Sequence, residues 1–369
     1  MKISYILESF GGGGKERRCL QLIQGLNAQG YNEIQVIIIN GIVEYPELFN
    51  TSAKIIILDR CNRKLSWLQT YREVKDIIIE FKPDIVQAWG VLSMGICSIV
   101  RIFHKFKFIC ANVADCNKMS WYRPQTFISH FSYFFADAVV GNSMAGLRAY
   151  NVPKNKAYCI YNGFNESRYD LVADIDKQKL LDELQINTKY LVAMFARIDQ
   201  FKDTNAFIEL ARNTLKDRDD VTFISVGKGI YYDKYKEETS NEDKIRFIGF
   251  RSDVEQLMSI TDVTILFSNF KLHKEGVSNS IMESMALGTP VIATDDGGSP
   301  EIVNHGVNGF LVKENDVKLA SKYLSSLLDD KSKIQLFSKN AEDTIRSGFL
   351  LRTMVSNYLS LYQNLMKSN

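Results

Sequence analysis

Lys274-Glu275-Gly276-Val277-Ser278-Asn279-Ser280-Ile281-Met282-Glu283-Ser284-Met285-Ala286-Leu287-Gly288-Thr289-Pro290 is the stretch that decides how this chain folds. An apolar run, Val263–Phe267, precedes it, and another, Pro290–Thr294, follows it. Between them Ser278 or Asn279 supplies an N-cap residue. Ile281, Met282, Met285 and Ala286 recur at helical spacing and form one apolar face. Gly288 and Pro290 stop the helix. Strand, loop, helix and strand in that order predict one repeat of a parallel sheet.

The same alternation extends in both directions. Upstream, strands are expected at Ile3–Leu7, Val36–Ile39, Lys54–Leu58, Asp84–Trp89, Phe106–Ala111 and Ala136–Val140, with helices at Lys15–Gln29 and Leu65–Phe81. Continuous β-branched runs such as Val36-Ile37-Ile38-Ile39 suit strands buried on both faces. Residues 165 to 188 are polar and hard to place in a sheet. A second strand series then runs through Leu191–Ala196, Val221–Val226, Ile245–Ile248, Val263–Phe267 and Pro290–Thr294. Beyond Asp316 the chain reads as helices, with Leu319, Leu324, Leu327, Leu328, Leu336 and Phe337 as apolar teeth. The last segment, Leu350–Met366, suits either half. Two doubly wound α/β domains in tandem follow, with a boundary near residues 163–188 and ligands expected at strand carboxyl ends in the cleft between them.

Composition bounds the function. Hydrophobic residues make up 46% and charged residues 24% of the 369 residues, as in ordinary soluble domains. Lys plus Arg number 45 and Asp plus Glu 43, a net charge of +2 that carries no nucleic-acid footprint. The six cysteines form no C-x-x-C pair and read as reduced thiols. The N-terminal apolar stretch is too short for a signal peptide, and no run reaches the length of a membrane span, so a cytoplasmic location is expected.

Three elements carry chemistry. Gly11-Gly12-Gly13-Gly14 follows the first strand and opens the first helix, where absent Cβ atoms and helix-start N–H groups favour close approach of an anion. It is neither a dinucleotide fingerprint nor a P-loop, since Gly14-Lys15-Glu16 lacks Ser or Thr after Lys. Arg197 and Lys202 lie five residues apart at the end of the first strand of the second half. Fixed cations there would stabilise charge developing on a diphosphate leaving group. Glu275 precedes a helix start and Glu283 lies about one turn inside it, so one carboxylate can take sugar hydroxyls and the other a ribose diol. Taken singly, each of these is more often a flexible turn or a surface charge; the flanking Gly276, Gly288, Pro290 and Gly297-Gly298 argue against that for the glutamates.

Glu275, seven residues and Glu283, then Ala286-Leu287-Gly288-Thr289-Pro290-Val291-Ile292-Ala293-Thr294, Gly297-Gly298-Ser299-Pro300-Glu301-Ile302-Val303 and Asn308-Gly309-Phe310-Leu311-Val312, resemble the donor half of the family-four retaining glycosyltransferases. Gly13-Gly14-Lys15-Glu16-Arg17, Asn142-Ser143, Tyr161-Asn162-Gly163, Gly227-Lys228-Gly229 and Gly249 are similar to further landmarks of that family. The resemblance implies a GT-B fold of two facing Rossmann-like domains: an acceptor domain over residues 1–165, a nucleotide-sugar donor domain over 166–349, and a C-terminal helix at about 350–369 that packs back on the first. It implies that Arg197 and Lys202 neutralise the diphosphate and that Glu275 contacts the transferred sugar. Gly276, Val277 and Ser278 would offer backbone N–H groups, Glu283 would bind the ribose, and Gly13 and Gly14 would approach the phosphates. It implies a front-face mechanism with retained configuration, in which the leaving phosphate helps to deprotonate the acceptor. No protein nucleophile is assigned.

The chain departs from the family's pattern in one respect. Many members carry a His after the strand that here is Phe106–Ala111, where this chain reads Asn112-Val113-Ala114-Asp115. Asn112, Asp115, Trp121 and Arg123 are therefore the acceptor-side candidates. No D-x-D motif sits in a suitable place, so neither a metal nor any other cofactor is expected beside a UDP- or GDP-sugar substrate. The expected acceptor is a saccharide or lipid-linked saccharide of bacterial surface polysaccharide synthesis, with peripheral contact at the inner face of the membrane and no nucleic-acid partner. A sugar-nucleotide epimerase and an inactive sugar-nucleotide-binding subunit are the alternatives. A solute-binding protein would carry an export signal, and a dehydrogenase a dinucleotide fingerprint.

Overall fold

Runs of β-branched residues become strands covered on both faces, and here they assemble into two separate parallel sheets. The computed structural model describes residues 1–118, 122–314 and 316–367. Contacts divide the chain into one unit of Met1–Gly163 with Leu351–Asn369, and a second of Phe164–Leu350.

The first unit holds β1 (Ile3–Leu7), β2 (Ile34–Ile38), β3 (Lys54–Ile57), β4 (Ile85–Ala88), β5 (Lys107–Val113), β6 (Ala138–Gly141) and β7 (Ala157–Cys159). They lie in the order β3-β2-β1-β4-β5-β6-β7. Every residue of β1, β2 and β4 is buried, which explains their largely apolar sequences; among the polar exceptions, Gln35 Nε2 donates to Ser4 Oγ at 2.6 Å. The second unit holds β8 (Tyr190–Phe195), β9 (Val221–Val226), β10 (Ile245–Gly249), β11 (Val263–Leu266), β12 (Val291–Thr294) and β13 (Gly309–Val312), in the order β10-β9-β8-β11-β12-β13. All the pairings are parallel. Both units are Rossmann-like. In each, the strand order reverses beside the first strand, between β1 and β4 and between β8 and β11. Such switch points open a crevice at the strand carboxyl ends.

The expected strands recur with ends shifted by one or two residues. β7 and β13 were not anticipated: β7 has only three residues, and Gly309–Val312 is short and follows Asn-Gly. The expected helix at Leu65–Phe81 begins instead at Trp67, capped by Ser66 and Gln69 in a reciprocal capping box. Leu336 is not an apolar tooth. It lies exposed at 57%, while its neighbour Phe337 is buried, because the Lys331–Gly348 helix turns only one face inward.

The C-terminal helix Leu351–Lys367 returns to the first unit and packs on the Gly14–Ala28 helix. Tyr358 and Tyr362 are fully buried there, and Tyr362 bonds the Tyr5 hydroxyl at 3.0 Å and donates to Gln87 Oε1 at 2.6 Å. Gly25 makes this approach possible: a Cβ on it would stand 2.4 Å from Val355 Cγ2. Gly25→Ala is therefore expected to lower stability. The overpacking penalty of about 1–3 kcal/mol outweighs the roughly 1 kcal/mol gained in helix propensity. Adding Val355→Ala should recover part of the loss, measured by urea unfolding; a single variant as stable as wild type would contradict the packing.

Candidate active site

The switch point of the second sheet gathers the expected donor-side residues. The loop after β8 carries Arg197, Asp199 and Lys202, and the loop after β11 carries Glu275. The two loops are laced together by backbone. Asp203 N–H donates to Phe267 O and Asn269 N–H to Phe201 O, each at 3.0 Å, and Lys202 forms an isolated bridge with Ser268. Ser268 N–H in turn donates to Thr294 Oγ1 of β12 at 2.9 Å. Asp203 then caps the Thr204–Leu215 helix through Ala206 N–H.

This lacing brings Lys202 Nζ into a direct ion pair with Glu275 Oε1. The Lys202 side chain is 11% exposed and Glu275 25% exposed, so the pair is largely shielded from water. Arg197 behaves differently. Its side chain is 72% exposed and its Nε donates to Asp199 Oδ2 at 2.7 Å. Asp199 also accepts from Phe201 N–H at 2.9 Å, which curls the loop between the two cations.

Glycines shape both loops. Gly297, in the left-handed region with φ +57°, packs so tightly that a Cβ would stand 2.1 Å from Glu275 O. A Cβ on Gly298 would stand 2.4 Å from Gly276 C and Val277 N, and its own N–H donates to Glu275 O at 3.0 Å. Gly227 and Gly229 do the same for the other loop, against Ala196 O and Ile198 O. The Gly-Gly and Gly-Lys-Gly motifs thus act as backbone rests for the segments that hold Glu275 and Arg197.

Gly276 and Val277 are buried, and Ser278 occupies the N-cap position of the Asn279–Ala286 helix without a side-chain cap bond. Ser280 ties this helix to the sheet by donating to Phe195 O at 2.5 Å. Glu283 lies on the buried face and pairs at 2.9 Å with Arg168 Nη1, whose Nε donates at 2.7 Å to Glu255. Arg168 is itself buried, with its guanidinium 5.1 Å from the Phe164 ring centroid. Burial opposes its charge, but hydrogen bonding and attraction to Glu283 and Glu255 prevail, so its pKa is raised. Sequence reasoning missed Arg168. It lies in the polar stretch after Gly163, where no periodicity separates it from an ordinary linker cation.

The first unit places the remaining candidates differently. Gly13 is the N-cap of the Gly14–Ala28 helix, with its N–H bonded to Gly11 O at 2.8 Å. Gly12 N–H donates to Glu44 Oε2 at 2.5 Å. Asn112 exchanges hydrogen bonds with the Tyr133 hydroxyl at 3.1–3.2 Å. Asp115 accepts from Asn117 N–H at 3.0 Å and from the Tyr150 hydroxyl at 3.1 Å. Burial, reinforced by the Asp115 charge, pushes the Tyr150 pKa up. Arg123 is exposed at the start of the Pro124–Phe135 helix. Trp121 lies outside the described residues. After β12, Asp296 forms an ion pair with the Glu275 loop, Lys274 Nζ to Asp296 Oδ2 at 2.7 Å.

With this geometry in view, known proteins show what the chain is similar to. Residues 176–344, nearly all of the second unit, match the family model described as "Glycosyl transferases group 1". The second unit is thus similar to the group 1 glycosyltransferases. Among relatives, it is 26% identical over 226 residues to the N,N'-diacetylbacillosaminyl-diphospho-undecaprenol alpha-1,3-N-acetylgalactosaminyltransferase of Campylobacter jejuni, covering 60% of this chain and 58% of that protein. It is 24% identical over 256 residues to the lipopolysaccharide core biosynthesis mannosyltransferase LpsB of Rhizobium meliloti, covering 66% and 70%. The fold matches Anabaena Alr3699/HepE, solved in complex with UDP, at a TM-score of 0.84 and 21% identity over 99% of this chain and 100% of that one. The chain thus has the two Rossmann-like domains of the GT-B fold class.

Arg168→Met is expected to cost on the order of 3 kcal/mol of stability, since it leaves two carboxylates near a buried site without their counter-charge. Urea unfolding measures it; a loss below about 0.5 kcal/mol, the range of ordinary surface changes, would show that the cluster is not held as described.

Proposed function

We propose that this chain is a glycosyltransferase that moves a sugar from a UDP- or GDP-sugar to a saccharide or lipid-linked saccharide, with retained configuration and without a metal, in bacterial surface polysaccharide synthesis at the cytoplasmic face of the membrane. The observation that carries the reading is the Lys202–Glu275 pair at the switch point of the second sheet, beside a helix start. Two relatives are named for transfer to a diphospho-undecaprenol-linked sugar or within lipopolysaccharide core synthesis, and HepE has been solved with UDP and with UDP-glucose.

The chemistry runs as follows. The bond between the anomeric carbon and the β-phosphate oxygen breaks, and its electron pair stays on that oxygen. Lys202 and Arg197 meet the growing charge, with Arg197 free to swing from its exposed position. The acceptor oxygen bonds to the anomeric carbon, and its proton passes to the departing phosphate. Before the donor arrives, Lys202 and Glu275 neutralise each other. The donor replaces that pair, phosphate on Lys202 and sugar hydroxyls on Glu275, so neither charge is left bare in a shielded site. Glu283 would hold the ribose diol with one face while Arg168 fixes the other. Gly276, Val277 and Ser278 would present backbone to the donor, and Gly13 and Gly14 would admit the phosphates closely from the first unit. Asn112, Asp115, Arg123 and Trp121 are the acceptor-side candidates in that unit; the first two are oriented by Tyr133 and Tyr150.

A panel of UDP-, GDP- and ADP-sugars, followed by thermal shift and by nucleotide release, tests this. Lys202→Ala and Glu275→Ala should each lower kcat by about 10²-fold or more, the scale of removing one transition-state contact, with a modest fall in unfolding temperature from the partner charge left bare but the chain still folded at the assay temperature. EDTA should leave turnover unchanged. Wild-type rates in both variants would overturn the role assignment, and donor binding without turnover on any acceptor would favour a non-catalytic subunit.

A further inference from the structure

The Pro124–Phe135 helix has its polarity inverted. A helix on the surface of a water-soluble protein buries its apolar stripe and exposes its polar one. Here the buried positions are Thr126, Ser129, Ser132 and Tyr133. Phe127 and Phe134 stand out at 73% and 75% exposure, and Phe131 at 37%. Their spacing of four and three residues puts them on one face. The rings form a continuous ladder: Phe127 stacks on Phe131 with centroids 6.4 Å apart, Phe131 meets Phe135 at 4.9 Å, and Phe135 meets Phe134 at 5.1 Å.

A neighbouring element extends this patch. The Val91–Phe103 helix packs beside this one, closely enough that a Cβ on Gly95 would stand 3.1 Å from Ile128 Cγ2. Its C-terminal turn is tied near the end of the Phe helix by the Arg101–Asp137 ion pair at 3.8 Å, and there Phe103 is 73% exposed. The charges around the patch are mainly basic, and the acid at its edge, Asp137, is paired with Arg101. From Lys118 to Ala136 the sequence contains no Asp or Glu, and Lys105, Lys118 and Arg123 are exposed. Asp115, just before that stretch, is occupied by Asn117 and Tyr150. The negative carbonyl end of the Phe helix is covered as well, since Lys156 Nζ donates to Tyr133 O at 3.1 Å and to Phe134 O at 2.7 Å.

We propose that this aromatic face seats the protein on an anionic lipid bilayer, the phenyl rings entering the headgroup–acyl boundary and the surrounding cations meeting lipid phosphates. Projecting rings flanked by exposed cations, with the adjoining acid Asp137 already paired, complement a soft, negatively charged, apolar surface. Protein interface cores are instead depleted in Lys and fill pockets. This rests on the membrane placement in the proposed function and gives it a surface; because the face belongs to the first unit and the donor loops to the second, loss of lipid binding and loss of donor binding are told apart.

Co-sedimentation of the full chain with phosphatidylglycerol–phosphatidylcholine vesicles, against phosphatidylcholine alone, tests it, with UDP binding measured in parallel as a check on the donor site. Wild type should bind the anionic vesicles, less so as salt rises, and Phe127→Ser with Phe134→Ser should lower that binding at least tenfold while UDP binding persists. Lys105→Glu should weaken it too. Should the double serine variant fold poorly, Phe134→Trp gives a second readout: the indole fluorescence gained over wild type should shift to the blue and be quenched by brominated anionic lipid. Absence of vesicle binding by wild type, full retention by the serine variant, or no lipid quenching of the added indole in the F134W chain would overturn the proposal. So would light scattering that shows a dimer which the serine variant separates, since a second copy would then be the occupant.

Discussion

Everything at the donor-side switch point depends on one ion pair formed across two loops, Lys202 with Glu275. Neither residue is held by secondary structure of its own. Each sits on a loop whose path is set by backbone contacts to the other loop and by glycines beneath it. A side chain at Gly297, Gly298, Gly227 or Gly229 would occupy space already filled by main chain. The position of two charged groups is therefore specified by four residues that carry no chemistry themselves, a division of labour in which rigid support makes the charged groups useful.

The two units put the same topology to different ends. In the second, the crevice beside β8 and β11 presents cations and a helix start. In the first, the unit's own acids fill corresponding places. Glu8, at the end of β1, accepts from Leu92 N–H at 2.7 Å at the start of the Val91–Phe103 helix, and Glu44 accepts from Gly12 N–H. The start of the Val91–Phe103 helix, already holding the Glu8 carboxylate, offers less to a phosphate, whereas Glu44 takes Gly12 N–H ahead of Gly13 and Gly14. The electrostatics thus separate two Rossmann-like halves that the strand pattern alone leaves alike.

Much of this was legible in the residues. The β-branched runs, the Gly and Pro stops and the motif from Glu275 to Thr294 located most strands and the family resemblance, because buried strands and helix ends have strong local signatures. Short edge elements were lost: β7 and β13 offer too few residues for a period to show. The pairing of Lys202 with Glu275 was not readable, since it joins residues 73 positions apart. Arg168 was hidden for the same reason. Its partners Glu255 and Glu283 lie 87 and more positions away, and nothing local marks a cation that will be buried. The inverted Phe helix was also passed over, because a 3.6-residue period reports that one face differs from the other and does not say which face turns inward.

The return of the Leu351–Lys367 helix makes the second unit an insertion within the first. Phe164 and Leu350, where the chain leaves and comes back, pair as neighbours, with Phe164 N–H donating to Phe349 O at 2.7 Å. On the ribosome the seven-stranded sheet is complete long before Tyr358 and Tyr362 arrive to cover the Gly14–Ala28 helix. At about 5–20 residues per second that interval is on the order of ten seconds or more. Throughout it the nascent first unit carries an uncovered apolar flank, while the second can already close its own core. Maturation order therefore runs against chain order: the inserted half is finished first, and the half that precedes it is sealed by a helix made after it.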